Sequence, residues 1–230
     1  MVMDSIESPT SNPRSESFGY VCHRCLKCCY HKGIQLNPYE VARLARNRGQ
    51  KTSEFRAAWT VDGAGLHLAQ TERGACVFLG SEGCTVHADR PLVCRLYPLG
   101  RHLTADGTES FAHVQTHPQS HGEFTQRGTI ADFLSAQDAY PFMRAADEYF
   151  YWICAVRASM DEACSPSTAE LSNEDDDSAR DLLDIDGAIA RHCAATAETE
   201  PADIEARKEL HLKILYQELE SNKGARHEQA

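Results

Sequence analysis

Seven of the chain's ten cysteines lie between residues 22 and 94, and thiols clustered in this way are typical of metal sites. The first group, CHRCLKCC, repeats a step of three residues from Cys22 to Cys25 and Cys28, and Cys29 follows directly. A Cys-x-x-Cys turn brings two sulfurs to one side of a tight loop, which suits zinc knuckles and iron–sulfur loops alike. The second group contains three more widely spaced cysteines: Cys76, Cys84 and Cys94.

The number of thiols favours an iron–sulfur cluster, with 4Fe–4S as the predicted type and zinc as the alternative. A four-iron cluster or a zinc ion takes about four protein ligands. Seven candidates therefore exceed one site, so either some cysteines are spare or a second site exists. The repeated Cys-x-x-Cys step also resembles the first three ligands of a bacterial four-iron ferredoxin loop.

Spacing ranks these candidate ligands. Cys22, Cys25 and Cys28 come first because they share one loop, and Cys94 follows because it lies in a turn bracketed by prolines. Cys76 and Cys84 lie at the ends of a predicted hairpin, where their sulfurs can converge. Cys29 comes last because neighbouring side chains usually diverge, although the pattern leaves open whether it or Cys28 is the ligand. Three cysteines are not predicted as ligands: Cys154, Cys164 and Cys193. Cys154 is expected to lie in a helix and to be buried in the core.

Charged and imidazole side chains surround this pattern. Residues 22–102 contain 12 Lys and Arg against 6 Asp and Glu, whereas residues 103–230 contain 10 against 25. Positive charge lowers the cost of holding thiolates, so Arg90 and Arg95 are predicted to bind the cofactor through its sulfurs, or else nearby carbonyls or an anionic substrate. For three histidines the sequence does not decide between an additional ligand and a packing residue: His87, His117 and His121.

The elements that must position these residues indicate an α+β fold. A small cysteine-rich domain of short strands and helices is predicted first, followed by a mainly α-helical C-terminal part. Asn37, Pro38 and Glu40 begin a helix that Gly49 ends, and a second helix is predicted over residues 53–59. Two short strands, over residues 76–80 and 84–87, are joined by a turn between Gly80 and Gly83, and helical periodicity begins near residue 129.

The predicted domain boundaries follow composition. Residues 1–20 are expected to be a disordered arm, residues 21–160 the metal-binding domain with its helical extension, residues 161–180 an acidic linker and residues 181–230 a helical tail that the metal centre does not need. No apolar run is long enough for a membrane span, and the N-terminus has no secretory pattern. We therefore expect a cytoplasmic protein without a membrane or nucleic-acid partner, and its protein partner is unknown.

Three segments taken together resemble a known family. CHRCLKCC, ACVFL and GCTVHADRPLVCRLYP occur in the order found in the CxxCxxCC cysteine-cluster family, also called YkgJ-like and described as zinc- or iron-chelating. The family is related to flagellin lysine-N-methylases, which carry the same cysteine pattern and an iron–sulfur cluster. The resemblance implies that all seven clustered cysteines are ligand candidates. His87 stands where relatives often have an aromatic residue, and Ser120, His121 and Gly122 replace a segment in which a further cysteine precedes the glycine.

Three functions follow from these observations. The chain is predicted to be a metal-binding protein whose centre serves folding or electron transfer. The alternatives are an S-adenosylmethionine-dependent protein-lysine N-methyltransferase of the flagellin type, and a redox sensor or metal carrier. No GxGxxG loop occurs, and no Ser–His–Asp arrangement stands out. Whether the chain is an enzyme is therefore left open, and no catalytic residue is predicted.

Overall fold

The computed structural model of this protein describes residues 12–63, 65–160 and 184–227. Within these ranges the chain forms seven helices and four two-stranded antiparallel sheets, which confirms the predicted α+β class. The C-terminal part is helical, as expected. None of the helices formed by the described residues combines the length and hydrophobicity that a membrane crossing requires.

The cysteine-bearing half is built from short elements. In chain order they are β1 (Ser17–Val21), a 3-10 turn at Lys27–Cys29, α1 (Pro38–Arg48), α2 (Thr52–Trp59), β2 (Thr60–Gly63), β3 (Gly65–Leu68), β4 (Leu79–Gly80), β5 (Gly83–Cys84), a 3-10 turn at His87–Asp89, and α3 (Leu92–Leu96). β2 pairs with β3 and β4 pairs with β5, each in antiparallel register.

The remaining elements end in long helices. They are β6 (Leu99–Leu103), β7 (Glu109–His113), β8 (Glu123–Thr129), α4 (Ile130–Ala136), α5 (Tyr140–Ala158), α6 (Ile185–Thr196) and α7 (Ile204–His227). β6 pairs with β7, and β8 returns to pair with β1 from the start of the chain. The acidic linker predicted at 161–180 lies outside the described residues.

Helix α1 follows its sequence signals closely. The Asn37 side chain accepts a hydrogen bond from the Glu40 amide at 3.0 Å, and the Glu40 carboxylate accepts one from the Asn37 amide at the same distance. Gly49 ends the helix in the left-handed region at φ 65°. The predicted hairpin also forms, but β5 ends at Cys84 and the strand expected to continue to His87 is replaced by a 3-10 turn.

The predicted disordered arm is wrong at its C-terminal end. Residues 17–20 belong to β1, and the Phe18 side chain is only 2% exposed. Phe18 packs in a core with Leu96 and Phe111, next to residues of α4 and α5. Burial of a phenylalanine contributes roughly 1.5–3 kcal/mol, which opposes disorder in this segment.

Two kinds of core hold the molecule together. The cysteine-bearing half has its own core of α1, α2 and strand residues: Ile34, Leu36, Val41, Leu44, Ala45, Phe55, Leu68, Phe78 and Val86. The tail helices pack on the other side of α1, where Ala42 is buried with Ile189 of α6 and Ile214 of α7. The Tyr39 hydroxyl donates a hydrogen bond to Glu205 across the same interface. The helical tail therefore covers the helix that follows the cysteine loop.

Candidate metal centre

The first cysteine loop has an unusual backbone. Arg24, Leu26 and His31 all have left-handed φ angles, at 52°, 65° and 53°. Each such residue costs on the order of 1–3 kcal/mol unless the surroundings fix it, and such outliers cluster at functional sites. Leu26 leads directly into the 3-10 turn, and its carbonyl accepts the Cys29 amide at 3.1 Å.

Cys28 and Cys29 point in similar directions. Their sulfurs lie 4.0 Å apart, so the expectation that the two neighbours diverge is wrong. Leu26 has a left-handed backbone and is followed by a 3-10 turn that contains both cysteines. In this tightly wound turn neighbouring side chains do not alternate between opposite sides, as they do in an extended loop. A hydrogen bond from Cys29 lowers the pKa of the Cys28 thiol to about 6, while sharing that proton raises the pKa of Cys29.

The second cysteine group is attached to the first by backbone hydrogen bonds. The Cys76 amide donates to the Cys29 carbonyl at 2.8 Å, and Tyr30 forms an antiparallel bridge with Ala75. Cys76, Cys84 and Cys94 are half-buried against the core of this half. Burial raises the pKa of all three thiols, and that of Cys94 reaches about 12.

Mutual electrostatic effects show which sulfurs lie in one region. After burial, the nearby thiols of Cys76, Cys84 and Cys28 contribute to the raised pKa of Cys94. Cys94 and Cys76 similarly contribute to the raised pKa of Cys29. The structure thus gathers five of the seven predicted ligands: Cys28, Cys29, Cys76, Cys84 and Cys94.

The two remaining predicted ligands lie beside this group. Cys22 is exposed, and after burial it contributes to the pKa of Arg90, as Cys94 and Cys84 do. Cys25 lies near enough to Cys28 for that thiol to contribute to the pKa of Cys25. Cys25 accepts a hydrogen bond from the His121 amide at 3.5 Å. Among the residues that the structure describes, no three His, Cys, Asp or Glu side chains converge closely enough to hold a metal ion. Binding by four thiols would therefore require their side chains to move closer together.

Two cations lie beside the gathered sulfurs. Burial lowers the pKa of Lys32, and the nearby thiols of Cys28, Cys94 and Cys29 oppose that shift. The Lys32 Nζ lies 3.5 Å from the centre of the Tyr97 ring. Burial lowers the pKa of Arg90, and the nearby thiols of Cys94 and Cys84 oppose that shift. The Arg90 guanidinium donates hydrogen bonds to the His87 carbonyl at 2.8 Å and to the Gln137 side chain at 2.9 Å. Lys32 was not among the predicted site residues, although it follows Cys29 by only three positions.

Of the roles predicted for Arg95, the structure shows the binding of nearby carbonyl groups. Its side chain is buried, and it donates to the backbone carbonyls of Arg90 at 3.0 Å and Gln137 at 2.8 Å, and also to that of Ala88. Its guanidinium carbon lies 3.9 Å from the centre of the Phe142 ring. These contacts fix the turn that carries Cys94. All of the hydrogen bonds of Arg95 go to backbone carbonyls, so they do not support the predicted cofactor-binding role.

The histidines and other cysteines are distributed as follows. His87 is exposed and its Nδ1 lies 3.4 Å from Arg90, while His117 Nδ1 accepts the Gln119 amide at 3.1 Å. Cys193 is a buried free thiol in the core that joins α1 to the tail helices. Cys154 is disulfide-bonded, which corrects its expected role as a plain core thiol. Cys164 lies outside the described residues.

Glu40 is a residue whose position the sequence did not reveal. One carboxylate oxygen caps α1 as predicted, and the other accepts the Leu92 amide at 2.7 Å, at the start of the turn that presents Cys94. Burial raises the pKa of Glu40 to about 7. The sequence predicts only the capping-box role of Glu40, because its second partner, Leu92, is 52 positions away.

Comparison with known proteins finds one family model that is similar to the cysteine-bearing part of the chain. Residues 21–121 match the model of the CxxCxxCC family, whose description reads "Putative zinc- or iron-chelating domain". The match confirms the resemblance carried by the three cysteine motifs. No curated protein and no solved structure matches the chain.

The donor set fits the metals that the family description names. Thiolates are the preferred ligands of zinc and of iron–sulfur clusters. Seven thiols, two adjacent cations and a half-buried setting supply the chemistry for either one. The metal would supply either a structural cross-link or electron transfer. Its ligands would come from the seven clustered cysteines: Cys22, Cys25, Cys28, Cys29, Cys76, Cys84 and Cys94.

Proposed function

We propose that the CxxCxxCC domain of this protein holds an iron–sulfur cluster, of the 4Fe–4S type, and uses it for electron transfer. The observation that carries the proposal is the gathering of five thiols beside Lys32 and Arg90. Five sulfurs in one region are enough for the four protein ligands that a four-iron cluster takes. The two cations offset the negative charge that thiolates and sulfides accumulate.

The strained loop supports the same proposal. A backbone with three left-handed residues within eight positions needs an external source of stability. Metal binding can supply it, because binding free energy to a site that does not preexist in the unfolded chain is folding free energy. The exposed Cys22 lies at the side of the site that a protein partner can approach.

Zinc is the second candidate, since the family description names it beside iron. We also propose that the protein works in the cytoplasm, where reduced thiols persist. Eight cysteines of the described ranges are free, which fits that compartment, whereas the disulfide at Cys154 does not.

The test is anaerobic purification followed by metal and acid-labile sulfide analysis and an optical spectrum. A brown protein with iron and sulfide in near-equal amounts supports the proposal. A colourless protein with stoichiometric zinc and no sulfide supports the second candidate and overturns the first. A protein that is isolated without metal and takes up neither iron nor zinc overturns both.

A further inference from the structure

A hydrogen-bonded group outside the cysteine motifs contacts one of the predicted ligands. The segment between β7 and β8 passes beside Cys25, where the His121 amide donates to the Cys25 sulfur at 3.5 Å. The neighbouring Ser120 belongs to the same segment. A backbone amide from a distant part of the chain therefore donates directly to one of the predicted ligands.

The Ser120 hydroxyl is itself held from two sides. It accepts the Gly122 amide at 3.2 Å and lies 3.3 Å from the Tyr20 hydroxyl. Tyr20 is fixed in turn, because it faces Phe124 across the β1–β8 pair and its ring lies 6.1 Å from that of Tyr97. The hydroxyl is thus oriented before any metal binds.

Gly122 is required by this close packing. A Cβ atom at this position would stand 1.8 Å from the Tyr20 hydroxyl oxygen and 2.1 Å from the ring carbon that bears it. These distances are far below contact, and the ring carbon belongs to a packed aromatic group. Only glycine lets Tyr20 approach the segment that contacts Cys25.

From this arrangement we propose that Ser120, oriented by Tyr20 and the Gly122 amide, is a positioning residue for Cys25: it holds the segment whose His121 amide donates to the Cys25 sulfur, and it thereby restrains that ligand. The inference rests on the proposed function, since it takes Cys25 as a ligand. Hydrogen bonds from neutral donors to a charged acceptor are stronger than those between neutral groups. Loss of such an outer partner typically costs about 10–100-fold in metal affinity.

The experiment uses the full chain with Cd²⁺ as the probe, because thiolates bind cadmium whichever metal the protein holds natively. Competition against a chelator gives the affinity of the wild type and of each variant. We expect Ser120→Ala and Tyr20→Phe to weaken Cd²⁺ binding, the first by about 10–100-fold. Ser120→Thr, which keeps the hydroxyl, should restore the affinity.

Ser17→Ala is the matched control. Its hydroxyl donates to the Gln126 carbonyl at 3.3 Å in the same strand pair but away from the cysteines. Ser120→Ala with the affinity of Ser17→Ala would overturn the inference, and so would a wild type that does not bind Cd²⁺. The metal and sulfide content of the protein as isolated tests the proposed function separately.

A double substitution protects the test against simple misfolding. Gly122→Ala alone should weaken Cd²⁺ binding because it displaces Tyr20. In a Tyr20→Ala background the added methyl group has space, so Gly122→Ala should then cause little further loss. Independent, additive losses from the two substitutions would show that Tyr20 and Gly122 do not act through one hydrogen-bonded group.

Discussion

The cysteine loop and the C-terminal helices contrast in how their conformations are maintained. Residues 22–33 contain no buried side chain, and three of their backbone positions are left-handed without glycine. Helices α5 and α7 instead bury Tyr149, Trp152 and Leu215 in a shared core with Tyr39 of α1. The helical region therefore has packing energy of its own, whereas on the proposed function we expect the loop to depend on what binds its thiols.

This contrast defines where metal binding should matter. Metal should order the loop and leave the helices, and also the apolar core around Phe55 and Phe78, largely as they are. A protein built in this way can lose its metal without unfolding completely. The predictions below start with the largest effect and separate the two regions step by step.

The largest expected effect is loss of metal from the loop. Cys28→Ser should remove most of the bound metal, because serine cannot replace a thiolate as a soft ligand. The amides of residues 22–32 should then exchange with solvent much faster while those of α5 and α7 stay protected, which hydrogen exchange with mass spectrometry measures.

Cys193→Ser is the matched control, since Cys193 is a free buried thiol in the helical part. It should leave the metal content unchanged. If every single substitution in the cluster leaves about half of the metal, two sites are present and the single-cluster proposal fails.

The second effect concerns the helices alone. Leu215→Ala should lower the free energy of unfolding by about 2–5 kcal/mol, because Leu215 is fully buried among aromatic residues. Metal content per folded molecule should not change. Tyr216→Ala, at an exposed neighbouring position, should have a much smaller effect in the same urea titration. Loss of metal from folded Leu215→Ala would show that the loop depends on the helical core.

The third prediction concerns Glu40, which connects the start of α1 to the turn that carries Cys94. Burial raises the pKa of Glu40 from its usual 4.5 to about 7. The folded chain therefore keeps a proton that the unfolded chain releases. Stability from this group is fully present below pH 4.5 and is lost as pH rises through 7, because the folded state binds more protons over this interval. The loss amounts to about 3 kcal/mol at about 1.4 kcal/mol per pH unit.

Urea unfolding of metal-free protein at low and neutral pH measures this dependence. The stability difference between wild type and Glu40→Gln should change with pH, because glutamine does not titrate. Glu54→Gln is the control, since Glu54 occupies the same capping position on α2 but is exposed. A wild type and a Glu40→Gln variant with parallel pH profiles would contradict the prediction.

The smallest effect concerns helix caps in the two regions. Asn37→Ala removes the cap of α1 directly after the cysteine loop, and Thr129→Ala removes that of α4. Each should cost about 1 kcal/mol in metal-loaded protein. In metal-free protein we expect a smaller cost for Asn37→Ala alone, because a disordered loop relaxes around the first turn. Equal costs in both states would indicate that the loop stays ordered without metal.

Local features of the fold were predictable from sequence. The cap at Asn37, the stop at Gly49 and the proline-bracketed turn at Cys94 all depend on residues within a few positions, and the structure has all three. The three cysteine motifs likewise carried the resemblance to the family whose model matches residues 21–121, without knowledge of the fold.

Features set by distant partners were not predictable. β1 forms because β8, which starts about a hundred residues later, pairs with it. The direction of Cys29 depends on a left-handed Leu26, a conformation that leucine rarely adopts. The donor to Cys25 is the backbone amide of His121, a residue whose side chain, not its amide, was considered as an additional ligand.

The pairing of β1 with β8 also restricts how the chain can diverge during evolution. Tyr20 faces Phe124 and Val21 faces Glu123, so the strand register alone brings Cys25 beside residues 120–122. One residue inserted between Gly19 and Cys22 would reverse the alternation of side chains and turn Tyr20 away from Ser120. The turn at residues 104–108 has no such role and can lengthen freely. Lineages that keep the metal centre should therefore vary in length at that turn and stay constant between Gly19 and Cys22.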